Sequence, residues 1–134
     1  MLIVDAANVV GSRPDGWWRD RAGAAARLIG RIGDAVAAGR LDGPVTVVLE
    51  GAARAADAPG GGAVRLVSAA GSGDDAIVEV AAAEAGRGSP VVVATADREL
   101  RRRVEAVGAS AVAPGWLLDR LDPPPGQPPD VRSS

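Results

Sequence analysis

Acidic residues stand at or just past the ends of four apolar runs in this 134-residue chain. The runs read LIVDAAN, VTVVLEG, VRLVSAAGSGDD and VVVATADREL, and they carry Asp5, Glu50, the pair Asp74 and Asp75, and Asp97. A strand buried on both faces of a parallel sheet is a near-continuous Val, Ile and Leu run. Ligands of open α/β sheets bind in the crevice beyond the carboxyl ends of the strands. Strands lying in one sheet would bring these carboxylates together, and gathered carboxylates repel unless a proton or a cation compensates. Hard divalent cations such as Mg²⁺ or Mn²⁺ prefer oxygen ligands. The pattern points to metal-dependent chemistry on a phosphate ester.

Each acid also has a structural alternative. Asp5 can ligate a metal, with Asn8 in the following loop orienting it or the substrate, or it can form an Asx turn leaving the strand. Its place after a buried run favours the functional role. Glu50 is either a ligand, a supporting group or an exposed acid at a helix start, where the dipole suits it. Ser72-x-x-Asp75 fits a capping box, with Ser72 as N-cap and Asp75 reaching back. That leaves Asp74 as the better ligand of the pair. Asp97 fits a helix N-cap as well as a ligand.

Basic residues flank these acids. Arg98, Arg101 and Arg102 share one face near the start of the helix that Asp97 opens, and such a face suits phosphate. Arg103 reads as part of a solvated face. In the segment GSRPDGWWRDR, Arg13, Arg19 and Arg21 can track a nucleic-acid backbone while Trp17 or Trp18 stacks on a base, unless a tryptophan is taken up by the core.

Composition removes whole classes of chemistry. There is no Cys and no His, which excludes disulfides, zinc–thiolate sites, cysteine nucleophiles, His-ligated metals and Ser-His-Asp triads. Every basic residue is Arg, so Walker-A loops and Schiff-base lysines are absent. Receiver-like phosphotransfer needs a Lys, and the D-x-D of haloacid-dehalogenase-like phosphatases fails at Ala7. Gly71-Ser72-Gly73 lacks the third glycine of a dinucleotide loop. The formal net charge of −2 excludes a uniformly basic nucleic-acid surface. No run approaches the ~20 apolar residues of a membrane span, and the apolar opening meets Asp5 too early for a signal peptide. A cytoplasmic protein without a membrane partner is expected; homodimerisation is left open.

Positioning these residues requires alternating strands and helices. Strands are predicted over 2–5, 45–50, 64–67, 91–95 and 109–112. Helices are predicted over about 17–38, 74–85, 97–107 and 115–121. The alternation predicts a three-layer α/β/α domain with a mainly parallel sheet of about five strands over residues 1–121. The Pro-rich tail, 122–134, is expected to be extended or disordered.

In their order and spacing, IVDAANVV, VVLEG, GSGDDAIVE and VVVATADRELRRRVEAVGA resemble the NYN domain group of the PIN-like nuclease superfamily. The YacP-like branch, a family of predicted ribonucleases, is the nearest match, and the resemblance covers roughly residues 1–121. It implies a carboxylate pocket for Mg²⁺ or Mn²⁺ and hydrolysis of RNA phosphodiesters. Asp5 matches the first-strand Asp and Asn8 its companion. Asp74 matches the acid opening the central helix, and Asp97 the fourth-strand acid. Glu50 stands where the family usually has Asp. Metal ligands are then expected among Asp5, Asp74, Asp97, Asp75 and Glu50, with Arg98, Arg13 and Arg19 on the RNA. The competing expectation is a non-catalytic RNA- or nucleotide-binding module that keeps the acidic pocket.

Overall fold

The computed structural model describes residues 1–12, 19–51 and 64–122. Arg13, Trp17, Trp18, the APGGG turn and the tail beyond Asp122 lie outside them. The strands are β1 (Leu2–Asp5), β2 (Val45–Leu49), β3 (Val64–Ser68), β4 (Val92–Ala94) and β5 (Ser110–Val112). The helices are α1 (Ala6–Gly11), α2 (Arg21–Ala37), α3 (Gly73–Gly86), α4 (Arg98–Ala106) and α5 (Pro114–Leu121).

All strand pairs are parallel, in the order β3-β2-β1-β4-β5. The Val-rich runs explain this. Every residue of β1 and β2 is buried, as central strands covered on both faces must be. The edge strands β3 and β5 are only partly covered.

Side chains alternate across the pleat and build two cores. Val4, Val47 and Ala94 face α1, α2 and α5, where they meet Val9, Ile29, Ile32 and Leu117. Ile3, Val48 and Val93 face α3 and α4, where they meet Ile77, Leu100 and Val104. The expected three layers are therefore present. Leu2 pairs with Val45 and Val92, and Val4 with Val47 and Ala94. The carboxyl ends of β1, β2 and β4 thus finish at one level. Chain order reverses beside β1, which places a topological switch point between β1 and β4.

Two local expectations need correction. Residues 6–11 form a one-and-a-half-turn helix, α1, so Asn8 is helical and does not lie in a loop. Asp5 supplies its N-cap, with Asn8 N donating to Asp5 Oδ1 at 3.4 Å. The second helix begins at Arg21, later than its periodicity suggests, because Asp20 accepts from Gly23 N at 2.9 Å and takes the cap.

Candidate active site at the switch point

Asp5 is the centre of the carboxyl edge. It is the last residue of β1 and is buried, 7% exposed. The fully buried Thr95, one residue past β4, donates its hydroxyl to Asp5 Oδ2 at 3.1 Å. The same hydroxyl oxygen accepts from Asp97 N at 3.1 Å. An amide N–H can only donate, so the single Thr95 hydrogen is committed to Asp5. Asn8 ties down the same loop, its Oδ1 accepting from Ala96 N at 2.8 Å. Asp5 at the end of β1 and Asn8 in α1 thereby hold the chain that leaves β4. Thr95 is a site residue that sequence reasoning missed. Its signal was the T-x-D spacing after VVVA, hidden because threonine also suits a strand.

Asp97 is half-buried and caps α4, accepting from Leu100 N at 3.0 Å. The expected role as helix cap is therefore filled, and Asp97 also adds its charge to Asp74. Glu50 lies just beyond β2. Its Oε2 accepts from Gly73 N, at the start of α3, at 2.6 Å. A Cβ at Gly73 would come within 2.9 Å of the Glu50 carboxylate, so only glycine allows this approach. The longer Glu side chain thus crosses to α3 and helps place Asp74, which is half-buried in that helix's first turn.

These groups feel one another. Burial raises the Asp5 pKa to about 6, against the hydrogen bonds from Thr95 and Asn8, and the negative charges of Asp74 and Glu50 add to the rise. The Asp74 pKa is also raised, by burial first and then by Asp97 and Glu50, while Arg103 opposes. Asp5, Glu50, Asp74 and Asp97 therefore form one electrostatically coupled group, and Asp75 adds the smallest contribution, on Asp74. Carboxylate oxygens make a donor set that suits a hard cation, and the mutual repulsion supplies a reason for one. Among the described residues, no three acidic side chains stand together closely enough to hold one ion as they are.

Asp75 takes a different course. Ser72 is the N-cap of α3, accepting from Asp74 N at 3.2 Å, but Asp75 pairs with Arg103 Nη2 at 2.8 Å and so ties α3 to α4. The capping box is thus replaced by a longer-range ion pair, and Arg103 is not merely part of a solvated face. Arg98, the first residue of α4, is exposed. Arg101 donates to the Thr95 carbonyl at 3.4 Å, and Arg102 pairs with Glu99 on the surface. Arg19 and Arg21 are exposed at the entry to α2. Trp116 packs partly against the core, at the far side of the molecule.

Beside the carboxylates opens a cleft of about 340 Å³. Ala6, Ala7 and Val10 of α1 line it, with Glu50 and Gly71 from the carboxyl edge and Arg21 from α2.

No family model and no curated protein matches this chain. Solved structures do. A crystal structure of Rae1 (YacP) from Bacillus subtilis superposes with a TM-score of 0.69 at 21% identity, covering 90% of this chain and 72% of that one. The fold is that of Rae1 (YacP). A tryptophan-to-leucine mutant of the same protein gives a TM-score of 0.67 at 20% identity, with the same coverage. The fold expected from the sequence motifs is thus the one that this likeness shows. No helix among the described residues is long and apolar enough to cross a membrane.

Proposed function

We propose that this chain is a metal-dependent ribonuclease that hydrolyses RNA phosphodiester bonds. One observation carries the reading: four carboxylates from three strand ends and one helix start are electrostatically coupled at the switch point. The Rae1 (YacP) fold supports it, because the sequence motifs resemble the ribonuclease branch of the same name.

Asp5, Asp74 and Asp97 are the residues that would hold Mg²⁺ or Mn²⁺. Glu50 can add oxygen Oε1, since only Oε2 is engaged by Gly73 N. Asp75 ranks last because Arg103 already holds it. A bound divalent cation would supply a water acidified for attack and charge compensation for the phosphate oxygens. Thr95 and Asn8 keep Asp5 and the β4–α4 loop in place before substrate arrives. Arg98, exposed beside Asp97, is placed to donate paired hydrogen bonds to a phosphate. No histidine base is required, which fits a chain that has none.

A second reading, a binding module that does not cleave, draws on the hydrogen bonds already made by Asp5 and Glu50. Purified protein incubated with structured and unstructured RNA, with Mn²⁺ or Mg²⁺ and with chelator, decides between them. Cleavage that needs metal and disappears in Asp97→Asn supports the nuclease. Wild-type protein that binds RNA and never cleaves it makes the chain a binding module.

A further inference from the structure

The cleft beside the carboxylates lies next to Asp5 and the start of α3 and shares Glu50 with the acidic group. Ala6 directly follows Asp5, Gly71 directly precedes the N-cap of α3, and Glu50 belongs to both the cleft and the acidic group. Its volume, about 340 Å³, lies within the range of small-molecule sites. The α1 wall consists of small aliphatic side chains, Ala6, Ala7 and Val10, against which a flat ring can lie without a polar penalty. Among the described residues that line it, the charged ones are Glu50 and Arg21. An apolar wall with a small number of polar groups is how sites fix the orientation of a planar ligand.

We propose that this cleft seats one unstacked RNA base that carries an exocyclic amino group, next to the phosphate held at the carboxylates. The inference rests on the ribonuclease reading and adds a base preference to it. Glu50 sets that preference, its Oε1 serving the base while Asp5, Asp74 and Asp97 are left to hold the cation. Its Oε2 accepts from Gly73 N, and its Oε1 makes no hydrogen bond among the described residues. A carboxylate accepts from the amino groups of adenine and cytosine. Uracil presents a carbonyl at the corresponding position, which sets oxygen lone pairs against the carboxylate. Leaving such a group unpaired against a partly buried acceptor costs enough to separate ligands by about tenfold.

The test uses neutral nucleosides, which the acidic group does not repel, and a chelator, so that turnover plays no part. Adenosine, cytidine and uridine are titrated into the full chain and followed by amide chemical shifts. Adenosine and cytidine are expected to bind about tenfold more tightly than uridine, with shifts centred on Ala6, Ala7 and Gly71. A Cβ at Gly71 meets no atom within 4 Å, and Gly71 lines the cleft, so Gly71→Leu should obstruct it and remove the preference. Ala7→Leu, at a half-exposed helix position, is the second filling variant and should do the same. In Glu50→Gln the amide oxygen is needed by Gly73 N, which turns the NH₂ group toward the ligand and should reverse the order in favour of uridine. Equal affinity for the three nucleosides, absence of binding, or tight adenosine binding by both filling variants overturns the proposal. RNA cleavage measured in parallel is a separate readout. Cleavage without nucleoside discrimination sinks the base cleft alone, and discrimination without cleavage sinks the nuclease alone.

Discussion

The two ends of the sheet carry charge in opposite ways. At the amino end lies the larger hollow, about 480 Å³, bordered by Met1, Arg40, Trp116 and Arg120. Its basic groups are engaged. Arg40 donates to the Arg120 and Leu121 carbonyls at 3.2 and 3.3 Å, closing the end of α5. Arg120 lies 3.9 Å over the Trp116 ring and donates to the Trp116 carbonyl. The Met1 ammonium donates to Pro90 O at 2.6 Å. At the carboxyl end the cleft is smaller, and the Asp5 and Asp74 pKa values beside it are raised, by burial first and then by the neighbouring negative charges. Size alone would choose the amino end, whereas the gathered charge singles out the carboxyl end. A fold that keeps like charges in conflict is storing a cost that a ligand can relieve.

The largest effect expected from this contrast is on turnover. Asp97→Asn keeps the helix cap, because Asn caps as well as Asp. It removes a charge from the acidic group, and RNA cleavage should fall more than about a hundredfold, on the order of 3 kcal/mol of barrier. Arg40→Ala, at the amino end, should leave turnover within about twofold while costing about 1–2 kcal/mol of stability through the lost bonds to α5. Initial rates and urea melts on both variants check the contrast; comparable rate losses at the two ends would erase it.

The carboxyl end should make stability depend on pH. The folded Asp5 pKa, about 6, lies above its ordinary value of 3.8, so the folded state holds the proton more tightly than the unfolded chain. Metal-free stability should therefore fall as pH rises from about 4 to about 6, by on the order of 3 kcal/mol. Asp74, raised in the same direction, adds to the fall. Asp5→Asn should flatten the profile, and millimolar Mn²⁺ should restore stability above pH 6 in the wild type alone. Melting temperatures across the pH range, with and without metal, read this directly.

A smaller effect is expected at the loop after β4. Thr95→Val keeps the shape and deletes the hydroxyl that joins Asp5 to the Asp97 amide. Groups that orient ligands are typically worth 10–100-fold in metal affinity. Thr95→Val should weaken Mn²⁺ binding by about that factor, and Thr95→Ser should rescue it. A Val variant that binds Mn²⁺ like wild type would make the hydroxyl a purely structural feature.

What the sequence made legible and what it hid follow from the range of the interactions. The layered parallel sheet was readable because burial on both faces leaves β1 and β2 with unbroken apolar runs. The acids were readable because they end those runs. The helix α1 was hidden by its shortness, six residues with little periodicity, and by an N-cap that also ends a strand. Thr95 was hidden because its partner Asp5 lies 90 residues away. The Glu50 contact to Gly73 was hidden likewise, since a Glu for Asp exchange looks like a misplaced ligand until α3 stands opposite. The capping box at Asp75 failed for the same reason: a local hydrogen bond lost to a guanidinium 28 residues on.

Asp74 and Asp75 bring the contrast between the two ends down to adjacent residues. Asp74 is half-buried and faces the charges of Asp97 and Glu50. Asp75 is exposed, 71% at the side chain, and its charge is answered by Arg103. Surface pairs of this kind contribute less than about 1 kcal/mol. A double-mutant cycle on Asp75→Ala and Arg103→Ala should therefore give a coupling below that value, read from urea melts. Asp75→Ala should leave cleavage within about twofold, whereas Asp74→Ala should abolish it. The Arg103 variant has its own signature: it removes the one cation that lowers the Asp74 pKa, so metal-free stability should fall further as pH rises. If Asp75→Ala costs as much activity as Asp74→Ala, the ion pair with Arg103 does not keep Asp75 out of the acidic group, and both neighbours belong to the site.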